Sequence, residues 1–202
     1  MKQIITIAAI LVVSSAASPA FAQDSKPFHG PWVAANIGYD VFDADGSDEE
    51  DGSSEDGIAY GVSLGYDYNF GNFVVGVEGE IGDSSVSASE TDVLEAGDEL
   101  ALKAGRDLYA GIRLGVPVSD TLLIYAKGGY TNQRFNLEYT LGGETESEGD
   151  NIDGYRLGAG AEVALGKAFG RLEYRYSDYG AFSDTDLETN RHQVMLTAGL
   201  RF

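Results

Sequence analysis

Between residues 58 and 70 the chain alternates without a break. Ile58, Tyr60, Val62, Leu64, Tyr66, Tyr68 and Phe70 are large and apolar or aromatic, while Ala59, Gly61, Ser63, Gly65, Asp67 and Asn69 are small or polar. A period of two puts these sets on opposite faces of one strand and is incompatible with a helix of 3.6 residues per turn. Similar alternation recurs over residues 32–41, 73–81, 106–116, 121–135, 154–165, 169–179 and 192–202. The stretch 121–135 is the least regular, because Leu123 and Tyr125 fall on its otherwise polar face. The last stretch alternates Val194, Leu196, Ala198, Leu200 and Phe202 with smaller or more polar residues and ends on an aromatic. A tilted strand needs ~9–11 residues to cross a bilayer, and these stretches are of that order.

The first 22 residues indicate export. Lys2 gives a positive start, residues 4–13 are apolar, and Ala20-Phe21-Ala22 forms a small-x-small cleavage site, so a secretory signal peptide cut after Ala22 is expected. No apolar run approaches the ~20 residues of a membrane helix. The chain has no cysteine, which excludes disulfides, thiol catalysis and Cys-ligated metals.

Connections alternate in length. Those near residues 71–72, 117–120 and 166–168 are short and contain Gly-Asn, Pro or Gly; those over residues 43–57, 83–103, 138–153 and 178–190 are long. Tight hairpins at one end and long loops at the other match a membrane barrel with periplasmic turns and extracellular loops. Closure is required physically, because an unpaired strand edge in hydrocarbon leaves backbone groups without partners. The last strand must therefore pair with residues 32–41.

The orientation of the faces separates this barrel from a soluble one. The less bulky face carries Asp67, Glu78, Glu80, Asp107, Arg113, Lys127, Arg156, Glu162, Arg171, Glu173, Arg175 and Arg201. These six acids and six bases suit a polar lumen, with glycines 61, 65, 76, 111, 115, 129, 158, 160 and 199 leaving them room. The other face is nearly free of charge. Its aromatics are expected to form two interfacial girdles, Phe70, Phe73, Phe169 and Phe202 below and Tyr60, Tyr130, Tyr155 and Tyr176 above. The expected fold is all-β: an eight-stranded antiparallel up-and-down transmembrane β-barrel spanning residues 23–202 as one domain, in a bacterial outer membrane.

The signal peptide, the eight strands and the terminal Gly199-Leu200-Arg201-Phe202 resemble the outer-membrane β-barrel family of opacity proteins and OmpA- or OmpX-like surface antigens. The resemblance covers the whole mature chain. It implies that Leu200 and Phe202 belong to the signal read by the barrel assembly machinery. No peptidoglycan-binding domain is expected.

An eight-stranded barrel is just filled by its side chains, so the lumen reads as an ion-paired plug in a structural surface protein and monomer, surrounded by outer-membrane lipids. A narrow passive porin-like channel for small solutes or ions is the alternative. The four long connections hold 24 of the 33 acidic residues and, apart from Lys103, no Lys or Arg, so solvated, self-repelling loops are expected. Nucleic acid would be repelled. Asp43, Asp45, Asp48 and Glu49 are weak candidates for divalent cations, since hard cations prefer carboxylates; their spacing lacks EF-hand order. A surface adhesin is a further alternative. No cofactor and no enzyme activity are expected: His29 and His192 lie at opposite ends, and no Gly-x-Ser-x-Gly elbow is present.

Overall fold

The computed structural model describes residues 27–45, 53–91, 98–141, 144–179 and 188–202. Nine strands form one antiparallel sheet: β1 (Gly30–Asp45), β2 (Ser53–Asn69), β3 (Val74–Ser84), β4 (Ser87–Thr91), β5 (Glu99–Pro117), β6 (Leu122–Leu141), β7 (Glu144–Leu165), β8 (Ala168–Tyr179) and β9 (Glu188–Arg201). Sequence neighbours pair throughout except β3 with β4; β9 pairs with β1 and β3 with β5, so the sheet closes on itself. Eight strands make the barrel wall. The short β4 continues the line of β3 after Ser85 and Val86 and pairs with the outer end of β5. A register shift between Ala104 and Asp107 in β5 absorbs this break, as a bulge does.

The closing seam runs from Trp32 opposite Arg201 to Asp45 opposite Glu188. The Phe202 amide donates to the Pro31 carbonyl at 2.9 Å, extending the seam to the last residue. Gly30 has φ near 108°, and a Cβ there would sit 2.4 Å from the Phe202 carbonyl oxygen, so only glycine fits.

Short turns lie at one end. Asn69 accepts the Gly71 amide at 2.7 Å in the β2–β3 turn. Ser119 accepts the amides of Thr121 and Leu122 in the β5–β6 turn. Gly166, with φ near 71°, turns β7 into β8. At the opposite end the strands run further than their sequence suggests. Residues 138–153, read as a loop, instead carry the ends of β6 and β7 paired from Leu137 opposite Glu148 to Leu141 opposite Glu144. Pairing persists because this arm keeps alternation in Leu137, Tyr139 and Leu141, and the Thr140 and Thr145 hydroxyls meet at 3.0 Å. A run of exposed acids on one strand is compatible with a two-stranded ribbon in water.

The two faces separate as alternation demands. The large members of residues 58–70 are 43–64 % exposed, an apolar surface that water would not tolerate over a whole barrel. Phe70, Phe73 and Phe202 are exposed at the short-turn end; Tyr60, Tyr130 and Tyr155 are exposed toward the other, and Tyr176 is half-buried. Phe169 departs from the expected lower girdle: it is 3 % exposed and points into the lumen. Its parity with Arg171, Glu173 and Arg175 in β8 requires this, and Gly199 opposite it supplies the space. Leu123 and Tyr125, irregular in the sequence, also point inward and are buried.

Candidate functional site: an ionic lumen between two apolar caps

Inward-facing residues fill the barrel in layers. At the short-turn end, Phe28, Val74, Leu123 and Tyr125 form one apolar cluster, and Trp32, Ala34 and Phe169 form another. At the outer end Phe42, Val86, Ala104, Phe135, Ile152 and Tyr179 form a third. Phe28 reaches its cluster from the segment before β1, in a left-handed backbone conformation with φ near 58°. That segment is tied down by Asn69, whose amide side chain donates to the Pro27 carbonyl at 2.6 Å.

Between the caps lie all twelve ionisable residues expected there, in two groups. In the lower group Arg113 donates to both oxygens of Asp67 and, at 2.9 Å, to Glu162. Glu162 also accepts from Arg171 and Arg201, each at 2.7 Å, and Arg201 donates to Asp67 at 2.7 Å. In the upper group Lys127 lies 2.7 Å from Glu78 and 2.9 Å from Glu173. Arg175 donates to Glu173 and, in a two-pronged contact at 2.6 and 2.9 Å, to Glu80. Arg156 donates to Asp107 at 2.7 Å.

Two members escape the sequence reading. Arg191 makes a two-pronged contact with Asp40 at 2.8 and 2.7 Å and reaches Asp107 at 2.9 Å. Asp40 shares the parity of Asn36 in β1, which is the signal that finds it. Arg191 stands one residue before the expected start of the last strand. With this pair the described lumen holds seven acids (Asp40, Asp67, Glu78, Glu80, Asp107, Glu162, Glu173) and seven bases (Arg113, Lys127, Arg156, Arg171, Arg175, Arg191, Arg201). These fourteen charges cancel among themselves, while the chain as a whole carries −20. Desolvating ions is costly, and matched, hydrogen-bonded partners are what offsets it. Asn36 adds a neutral link, donating to Glu80 at 3.0 Å and accepting from Thr197 at 2.8 Å.

Glycines make this filling fit. A Cβ at Gly111 would strike the Tyr109 hydroxyl, one at Gly160 the Tyr125 ring, and one at Gly65 the Trp32 ring. Cations also lie on aromatic faces: Arg171 is 4.0 Å from the Trp32 ring centre, and Lys127 is 4.6 Å from that of Tyr109.

The remaining candidates are dispersed. Asp43 and Asp45 belong to the end of β1, and Asp48 and Glu49 lie outside the described residues. Among the described residues no group of three or more His, Asp or Glu is arranged to hold a metal. His29 sits at the short-turn end against Tyr66 and Tyr68. His192 is far up the wall, its Nδ1 2.7 Å from the Tyr174 hydroxyl. Just above the outer tyrosines Asp153 accepts from the Tyr130 hydroxyl at 2.5 Å and Asn132 at 2.7 Å, and these donors hold its carboxyl below the usual carboxylate range.

A closed antiparallel barrel with an apolar outer band, aromatic rims and a charged interior is a membrane barrel of the bacterial outer membrane. Residues 8–202 match the family model for the outer membrane protein beta-barrel domain, and the chain belongs to that family. Several solved outer-membrane structures are similar in fold. Ail, the attachment invasion locus protein of Yersinia pestis, solved in complex with the heparin analogue sucrose octasulfate, is 19 % identical with a TM-score of 0.51, covering 86 % of this chain and 99 % of its own. Neisserial surface protein A is 15 % identical with a TM-score of 0.57, covering 86 % and 97 %. No curated protein matches the sequence.

Proposed function

We propose that this is a structural surface protein of the outer membrane whose lumen is a permanent plug and whose acidic outer end is its point of contact with the exterior. The observation carrying this reading is the pairing of seven lumen acids with seven lumen bases between apolar caps. A hydrated path along the axis would have to break contacts of 2.6–2.9 Å in both ionic groups. The porin-like reading makes the opposite prediction. Planar-bilayer recording of the refolded protein separates them: an electrically silent membrane is expected, and reproducible unitary conductance would overturn the plug.

The acidity of the outer end supports a second element. Glu146, Glu148 and Asp150 are exposed along the outer arm of β7, and Glu138 lies on the paired arm of β6 at the same end. Such a rim favours cations, including divalent ions shared with anionic lipid headgroups, and disfavours a polyanion of the kind seen with Ail. Calorimetric titration with calcium at low salt tests this. No heat above that of a variant with Glu146, Glu148 and Asp150 changed to amides would exclude it. In this reading the protein is a monomer, and Leu200 and Phe202, exposed at the closing seam, serve recognition by the barrel assembly machinery.

A further inference from the structure

We propose that the lower half of the lumen holds one small monovalent anion, of chloride's size and charge, beside the stacked pair Trp32 and Arg171. The two ionic groups are not individually neutral. The lower one has three cations, Arg113, Arg171 and Arg201, against two acids, Asp67 and Glu162. The neighbouring acids of the upper group are engaged elsewhere: Glu78 with Lys127 at 2.7 Å, and Glu173 with Lys127, Arg175 and the Tyr125 hydroxyl. One positive charge is thus left over among the described residues of the lower group, in a place closed by apolar clusters.

The hydrogen bonds locate that excess. Arg113 spends its donors on Asp67 and Glu162, and Arg201 does the same with both of its terminal nitrogens. Arg171 uses Nε on Glu162, but its Nη2 has no acceptor among the described residues, and neither has the indole Nε1 of Trp32. Trp32 is 1 % exposed and Arg171 6 %. The guanidinium stacks 4.0 Å from the indole centre, which brings the two side chains carrying the free donors together in the lower lumen. Buried donors are satisfied in folded proteins almost without exception. Two donors beside an uncompensated positive charge select an acceptor carrying negative charge over a neutral one.

Trp32 is the only tryptophan and reports on the site directly. The refolded protein in detergent is titrated with sodium iodide, with sodium gluconate holding ionic strength constant. Iodide is a contact quencher, and a ring this buried is out of reach of collisions from solvent. The expected result is saturable loss of Trp32 emission, competed by chloride, together with a Tm about 3–6 °C higher at ten times the dissociation constant of chloride than in gluconate. Arg171→Gln abolishes both effects, and Arg106→Gln, which alters an exposed arginine, leaves them intact. If iodide quenches linearly or not at all in the native chain, and Tm is the same in chloride and gluconate, the donors are met by water and the proposal fails. Should Arg171→Gln not refold, the native titration alone decides between these outcomes.

Discussion

Replacing Glu162 by glutamine keeps the side-chain shape and removes one charge from the centre of the lower group. The carboxylate accepts from Arg113, Arg171 and Arg201 at 2.9, 2.7 and 2.7 Å, and it is fully buried. Afterwards Arg113 and Arg201 share Asp67, and Arg171 keeps no acid among the described residues. The new amide also turns N–H donors toward groups that cannot accept them. Removing one partner of a buried pair costs about 3–5 kcal/mol. At about 2–4 °C per kcal/mol for a chain of this length, Tm falls by roughly 6–20 °C. Glu146→Gln, on the exposed outer arm of β7, is the control and should stay within about 0.5 kcal/mol of the native chain. Urea unfolding of the refolded protein, followed by Trp32 emission, measures both. Equal midpoints for the two variants would refute the reasoning, because they would mean that water screens the lumen as it screens the rim.

Three further outcomes follow from the packing. Phe169→Ala empties a space bordered by Trp32, Arg171 and Gly199 and should cost about 3–5 kcal/mol in the same urea assay, whereas a lipid-facing phenylalanine would cost far less. Gly65→Ala puts a Cβ 2.5 Å from both the Trp32 ring and the Val77 carbonyl oxygen and should destabilise by about 1–3 kcal/mol; Gly79→Ala, whose nearest neighbour is 3.8 Å away, should be tolerated. Tyr130→Phe removes the first donor to Asp153, so the carboxyl should titrate at higher pH, observable by carbon NMR of labelled aspartate; an unchanged midpoint would mean that the contact does not persist in solution.

The wall was largely legible. Alternation assigns an inside and an outside to every residue of a strand, and a barrel leaves no other choice of layer. The inward placement of all twelve ionic residues, the exposure of residues 58–70 and the closing seam at Trp32 and Arg201 follow from parity alone. Parity also covers Asp40 and Phe169, which go astray only when a residue is judged by its type: a phenylalanine suggests lipid, while Arg171 two places on says lumen. Boundaries were less legible, because strand pairing continues past the membrane into segments rich in exposed acids. Arg191 and the paired arms of β6 and β7 fall in that margin.

Sequence by itself determined that this chain crosses a membrane as strands and hides charge while showing apolar surface, since each of these is a property of local order along the chain. Tertiary structure alone decided who pairs with whom. Asp40 meets Arg191 across 151 positions and Glu80 meets Arg175 across 95, separations that no periodicity encodes. The division of the lumen into a lower group with one cation to spare and an upper group with one acid to spare exists only once shear and closure have set the heights of the eight strands. Electrostatic energy depends on those distances, and the lower half's unmet donors at Trp32 and Arg171 are their consequence.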